Sequence, residues 1–181
     1  MFYISKYKSP VGEITLASNG EKLTGLWFDG QKNFADTLPE NYEEIDLPVF
    51  EQTKKWLDIY FSGKAPDFTP PLDMGGISQF RKRVWEIMLE IPFGQTSTYG
   101  KIAKQIAEET GKKVSGQAVG GAVGHNSISL VIPCHRVVGT NGDLTGYAGG
   151  IDKKIKLLRL EGVDVSKYSV SQKVAAIIDV N

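Results

Sequence analysis

The sequence predicts an α+β fold: a small N-terminal sheet domain over residues 1–73 and a mainly helical domain over 78–165 that contains a helix-turn-helix. Three observations predict it. Strand-like runs separated by turn signals fill the first 28 residues, Pro66, Pro70 and Pro71 mark a linker, and amphipathic helical patterns begin after Ser78.

Phe2 to Lys8, Glu13 to Ser18 and Leu23 to Phe28 read as strands, broken by Pro10-Val11-Gly12 and Asn19-Gly20. The Asn-Gly pair signals a hairpin because both residues tolerate positive φ. Phe50, Trp56, Leu57 and Tyr60 fall near helical spacing and predict a helix from Phe50 to Phe61, with Gly63 as its stop. Ser78 can cap a helix whose Phe80, Val84, Ile87, Met88 and Ile91 share one face before Pro92-Phe93-Gly94 ends it. A helix from about Thr98 presents Tyr99, Ile102, Ala103 and Ile106; another runs from Ser115 to about His125 after the polar turn Gly111-Lys112-Lys113. Two short helices around a Gly-containing turn predict the helix-turn-helix. A last helix begins near Asp152 and ends at Glu161-Gly162. Residues 166–181 form a tail whose patch Val174-Ala175-Ala176-Ile177-Ile178 is expected to pack on the body.

The helix after Ser115 conflicts with intrinsic propensity. Gly116, Gly120, Gly121 and Gly124 each cost about 0.8–1 kcal/mol relative to alanine in a helix. Two explanations stand: close packing on a neighbouring helix, or a slim surface that enters a groove of a partner.

At 41% apolar, the chain can bury a sizeable core. No apolar run approaches the ~20 residues that span a bilayer, and the N-terminus lacks a signal-peptide layout; a cytoplasmic protein with no membrane association is expected. One cysteine excludes an internal disulfide and a cysteine-rich zinc site, and it fits a reducing compartment. Neither metal nor cofactor is expected, and the chain is expected to be monomeric. The net charge of zero hides an asymmetry: residues 1–75 hold 7 Lys+Arg against 12 Asp+Glu, and residues 76–161 hold 12 against 7. A basic second half suits a polyanion, although a mixed solvated surface is the commoner cause.

The one cysteine lies in Pro133-Cys134-His135-Arg136, after the apolar run Ile128-Ser129-Leu130-Val131-Ile132. A lone thiol is often a small buried hydrophobe; beside a histidine it is also a candidate nucleophile. The surrounding residues favour the nucleophile. The stretch Ile132-Pro133-Cys134-His135-Arg136-Val137-Val138-Gly139, followed by Leu144-Thr145-Gly146-Tyr147-Ala148-Gly149-Gly150, resembles the active-site signature of the O6-alkylguanine-DNA alkyltransferase family. These are the methylated-DNA protein-cysteine methyltransferases. The resemblance runs from about Phe80 to Gly162, through Pro92-Phe93-Gly94-Gln95-Thr96-Ser97-Thr98-Tyr99-Gly100 and Ala118-Val119-Gly120-Gly121-Ala122-Val123-Gly124-His125-Asn126. Ser9-Pro10-Val11-Gly12 and Gly25-Leu26-Trp27-Phe28 extend it loosely to the N-terminal third.

The resemblance implies a ribonuclease H-like α/β N-terminal domain and a winged-helix-like C-terminal one. It implies irreversible, single-turnover transfer of an alkyl group from O6-alkylguanine in double-stranded DNA to Cys134, with O4-alkylthymine a further candidate. The small-residue helix would enter the minor groove, and the target base would flip out to reach the thiol. His135 would activate Cys134 through a water and be oriented by Glu161. On their own, His135 and His125 read as structural histidines and Glu161 as a solvated residue before a glycine cap. Asn126 either caps its helix in the left-handed region or bonds across the turn toward the Cys134 segment. Tyr99 would bond the flipped base and assist its protonation. Tyr147 would wall the pocket, Ala148 would offer an N–H to the guanine oxygen, and the carbonyls of Cys134 and Val137 would accept from its amine. Ser129 and Val123 complete the expected pocket. On the DNA side the expectation names Gln117, Ala118, Gly120, Gly121, Thr98 and Arg136, with an internal carbonyl or carboxylate an equal partner for Arg136. Gln117 stands where relatives carry an arginine, so this position lacks a cation and a planar stacking group. Two other readings stand beside this one: a damage-binding or regulatory helix-turn-helix protein without transfer activity, and a cysteine hydrolase, which would turn over repeatedly.

Overall fold

The computed structural model describes residues 1–144 and 146–169; the tail patch at 174–178 lies outside the described residues. The chain forms two compact units, Met1–Ile77 with Ser127–Val131, and Ser78–Asn126 with the chain from Ile132 onward.

In the first unit β1 (Phe2–Ser9), β2 (Gly12–Ser18) and β3 (Leu23–Phe28) form an antiparallel meander, and β4 (Tyr42–Glu44) joins β1 in parallel, giving the order β3-β2-β1-β4. The Asn19-Gly20 hairpin is a four-residue loop. Asn19 Oδ1 accepts the N–H groups of Glu21 and Lys22 at 3.1 and 2.9 Å, and Gly20 sits at φ +107°. The expected three strands thus gain a fourth. Tyr42, Glu43 and Glu44 are all exposed, so β4 carries no apolar alternation by which to read it. Helix α1 (Pro48–Phe61) starts two residues before the expected Phe50 because Pro48 occupies its first turn, where a missing N–H costs nothing. It packs on β1 and β2 through a face that includes buried Phe50, Trp56, Leu57 and Tyr60. Trp27, Ile4 and Ala17 form another cluster, covered by Ala35 and Leu38. Gly25 is required there, since a Cβ at that position would collide with the Trp27 ring.

The outer edge of β3 would expose unpaired backbone groups. Two short segments cover it. Leu23 N–H donates to Pro71 O (2.8 Å) while Asp73 N–H donates to Leu23 O (2.9 Å). Leu26 N–H donates to Ser127 O (2.8 Å) while Ser129 N–H donates to Leu26 O (3.0 Å). The second pairing draws residues 127–131, expected within the helical domain, into the first unit.

The second unit is mainly helical. Ser78 caps α2 (Gln79–Leu89) by accepting the Arg81 N–H, Thr98 caps α3 (Tyr99–Thr110) by accepting the Lys101 N–H, and Ser115 caps α4 (Gly116–Gly124) by accepting the Ala118 N–H. Gly111, at φ +69°, ends α3 and opens the turn to α4. Val84, Trp85, Met88, Ile102, Ile106, Val119 and Ala122 are buried, and Trp85 Nε1 donates to Ala122 O at 2.9 Å, tying α2 to α4. β5 (Ser97–Thr98) pairs in parallel with β6 (Val137–Val138). Helix α5 (Ile151–Leu160) buries Ile155 and Leu158 against Val138 and Leu144.

Candidate active site

Pro133 sets the local geometry of Cys134. Its ring fixes φ, and at φ −82° and ψ +66° the chain makes an inverse γ-turn in which Cys134 N–H donates to Ile132 O at 2.8 Å. The same carbonyl accepts Asn126 Nδ2–H at 2.8 Å. Asn126, directly after the His125 cap of α4, is thus bonded across the chain to the turn that presents the thiol. His125 supplies the C-cap and Asn126 is absent from the left-handed region, which removes the capping alternative for Asn126. Cys134, His135 and Arg136 form one 3-10 turn and are all buried.

Glu161 organises this turn from the end of α5. Its Oε2 lies 2.5 Å from His135 Nε2, its Oε1 accepts Arg136 Nε–H at 2.8 Å and Gly94 N–H at 2.9 Å, and Arg136 Nη2 reaches Oε2 at 3.3 Å. Burial alone would raise the Glu161 pKa, but the hydrogen bonds from His135 and Arg136 and the Arg136 charge outweigh it and hold the carboxyl at about 2. The carboxylate is therefore ionised and only accepts. Burial lowers the His135 pKa and Glu161 offsets this in part, so the imidazole is neutral near pH 7. Its proton then sits on Nε2, facing Glu161, and Nδ1 is the basic nitrogen.

Tyr99 and Tyr147 share the neighbourhood of the thiol. Burial, then the Cys134 charge, raises the Tyr99 hydroxyl to about 12; this hydroxyl is 3.5 Å from Gly146 O. The Tyr147 hydroxyl is buried, and its ring meets that of His135 edge-on at a centroid distance of 6.5 Å. Ala148 follows in a turn closed by Gly150 N–H on Tyr147 O. Lys154 is a residue the sequence reading missed. It is fully buried on α5, its Nζ donates to Val137 O at 2.7 Å, and burial lowers its pKa to about 8 while the Cys134 charge works the other way. The signal was present: Lys154 interrupts the apolar stripe Ile151, Ile155, Leu158.

Several expected roles change. Arg136, expected at the DNA, instead takes the internal partners: it is 7% exposed, and its guanidinium donates to both Glu161 carboxylate oxygens and, at 2.7 Å, to Ile91 O. The Val137 and Cys134 carbonyls, expected to receive the guanine amine, already accept from Lys154 and from Val137 N–H, so the amine would share each carbonyl with that donor. Ser129 belongs to the first unit, paired with Leu26, and the structure does not group it with the thiol. Val123 is buried on the inner side of α4. The Thr98 hydroxyl serves as the α3 cap. By contrast Gln117, Ala118 and Gly121 are exposed, with Gly120 half-buried.

The α4 glycines resolve the question their propensity raised. A Cβ on Gly121 or Gly124 would enter open space, and on Gly116 or Gly120 it would meet Tyr99 at an ordinary 3.9–4.0 Å. Internal packing requires none of the four, so the close-packing explanation is set aside for a slim exposed surface.

Residues 2–74 match the ribonuclease-like domain of 6-O-methylguanine DNA methyltransferase, and residues 79–163 match its DNA binding domain. The chain belongs to the 6-O-methylguanine DNA methyltransferase family. Among relatives, the methylated-DNA–protein-cysteine methyltransferase of Mycobacterium bovis is 40% identical over 167 residues, covering 89% of this chain and 93% of the relative. That of Methanosarcina acetivorans is 41% identical, covering 88% and 98%. The crystal structure of Mycobacterium tuberculosis OGT in complex with DNA superposes with a TM-score of 0.77 at 39% identity, covering 93% of this chain and 96% of that one. In this family member no described helix is long and apolar enough to cross a membrane.

Proposed function

We propose that this protein repairs alkylated DNA by moving the alkyl group of O6-alkylguanine to Cys134 once and irreversibly. The observation that carries the reading is the neutral His135 that follows the only cysteine, hydrogen-bonded at Nε2 to Glu161. The thiol proton passes to His135 Nδ1 through a bridging water, with the Lys154 ammonium supporting the resulting thiolate. Sulfur attacks the alkyl carbon, the S–C bond forms, and the C–O pair leaves with guanine. Guanine takes up one proton, helped by the Tyr99 hydroxyl, so thiol and alkylguanine become thioether and guanine. Tyr147 walls the base and Ala148 N–H faces its oxygen. Because Cys134 is only 5% exposed, the base must leave the duplex to reach it. The exposed face of α4, Gln117, Ala118, Gly121 and Gly124, is thin enough to lie in the minor groove. We place the protein in the cytoplasm, where a lone thiol stays reduced.

Intact-protein mass spectrometry after incubation with a duplex bearing one methylated guanine tests this. The expected result is one methyl per protein, mapped to Cys134. Specific binding with no mass gain would instead identify a damage-binding protein, and repeated turnover on esters a hydrolase.

A further inference from the structure

The exposed face of α4 has no charged side chain: Gln117, Ala118, Gly121 and Gly124 are all neutral. Sequence-independent affinity for a duplex comes from cations that release counterions, so this unit must supply them from beside the helix. A groove of about 1090 Å³ lies there, walled by α2, the C-terminal part of α3, the α3–α4 turn and the start of α4. Ser115 and Ala118 line it and are themselves exposed on α4, so the groove runs on from the helix face. Phe80, Ile106 and Val114 make an apolar floor.

The charges at this groove are uneven in a specific way. Both of its acids are taken by one arginine: Arg83 meets Glu109 through two bonds of 2.8 and 2.6 Å and reaches Glu86 at 3.9 Å. Gln105 adds a further bond to Glu109. Lys82, Lys112 and Lys113 also line the groove, are exposed, and take part in no ion pair among the described residues. Three ammonium groups therefore stand outside any described ion pair, and with four cations against two carboxylates the lining keeps a net positive charge next to a neutral helix face.

We propose that this groove seats the sugar-phosphate backbone of duplex DNA flanking the helix α4 contact, with Lys82, Lys112 and Lys113 as its phosphate-neutralising residues. The inference rests on the reading of α4 as the duplex-binding helix. Its chemistry is that of a polyanion with spaced single charges: lysines serve as point charges for phosphate, while the apolar floor suits deoxyribose carbons. In this chain, the counterion-releasing part of binding moves from position 117 to the groove.

The test is a salt series of binding to an undamaged duplex, comparing the full-length protein with the triple variant Lys82→Gln/Lys112→Gln/Lys113→Gln. A charge-matched control, Lys55→Gln/Lys64→Gln/Lys156→Gln, removes three exposed lysines elsewhere. For every phosphate left unneutralised, the slope of log K against log salt flattens by about 0.9. The groove variant should therefore bind at least 10-fold more weakly at low salt with a slope shallower by about 2 to 3, while the control keeps both. The rate of methyl transfer at saturating duplex and the thermal midpoint should stay at wild-type values. Equal weakening in both variants, or unchanged binding by the groove variant, would overturn the groove assignment while leaving the transferase reading intact. A wild-type dimer in sedimentation that the groove variant does not form would assign the groove to a second copy instead. Wild-type protein that methylates Cys134 on a free alkylated base but binds no duplex would overturn both readings of α4 and of the groove.

Discussion

At the scale of single residues, the site is a problem of buried charge solved by one carboxylate. Glu161 neutralises Arg136 and fixes His135 together, so its removal strands a buried guanidinium and frees the imidazole. Glu161→Gln should cost about 3–5 kcal/mol, as breaking a buried pair does, and should slow methyl transfer; a melting curve and single-turnover rate check both. Acid should act in the same direction. The folded carboxyl at about 2 lies below its ordinary value, so its stabilisation is complete above about pH 4.5 and lost as pH falls toward 2. His135 is also lowered in the fold; the unfolded chain gains its proton first, and stability already declines below about pH 6.5. Urea midpoints that stay flat from pH 7 to 4 would contradict this. Lys154 bears on the thiol itself. Lys154→Met removes the buried cation near Cys134, so alkylation of the thiol by iodoacetamide should reach half-maximal rate at a higher pH than in the wild type. An unchanged profile would show that Lys154 serves only to hold Val137. These residues are unequally legible. Cys134 and His135 are adjacent in the sequence, but the distant Glu161 reads from its own surroundings as a solvated helix end, and only the fold brings it to His135. Arg136 reads equally as a phosphate ligand or an internal donor, because nothing in its neighbours reveals that Ile91 O and Glu161 surround it.

At the scale of elements, caps make the helices readable and exposure hides the short strand. Ser78, Thr98 and Ser115 each precede a helix and each accepts an N–H of the first turn, so the boundaries of α2, α3 and α4 follow from local chemistry. β4 has no such marker; only its parallel pairing with β1 creates it. Helix α4 is the element whose sequence runs against its own stability. Gly121 and Gly124 would accept a Cβ into open space, so Gly121→Ala and Gly124→Ala should each stabilise the free protein by about 1 kcal/mol. The same methyl groups would stand on the face assigned to the minor groove, and duplex affinity should fall as stability rises. Paired thermal melts and duplex titrations read the two effects separately. A variant that gains stability and keeps its affinity would remove α4 from the interface.

At the scale of the whole molecule, neither unit is one continuous stretch of sequence. The chain leaves the second unit after Asn126, contributes Ser127–Val131 to the first, and returns at Ile132 to form the turn that presents Cys134. Within that excursion Leu130 is fully buried yet has φ +69°, a conformation that a branched side chain adopts only when its surroundings hold it. The surroundings include the β3 edge, through the two bonds between Leu26 and residues 127 and 129. The sequence division near residue 73 leaves residues 127–131 with the helical domain, whereas they pack within the first unit. No local pattern could reveal this, since Ile128-Ser129-Leu130-Val131-Ile132 reads only as a continuous apolar run. The expected consequence is that removing β3 disturbs residues 127–131, which lead directly into the Cys134 turn. A fragment of residues 78–181 lacks Leu26, so the Ser127 carbonyl and the Ser129 N–H that pair with it are stranded, and each stranded backbone group costs about 1–3 kcal/mol where it stays buried. The fragment should melt at lower temperature and transfer methyl groups at least 10-fold more slowly, a factor equal to about 1.4 kcal/mol. Adding residues 1–77 as a separate chain should restore part of the rate, because the β3 edge returns with it. A fragment that matches the intact protein in both rate and melting temperature would show that the β3 pairing is incidental to the site.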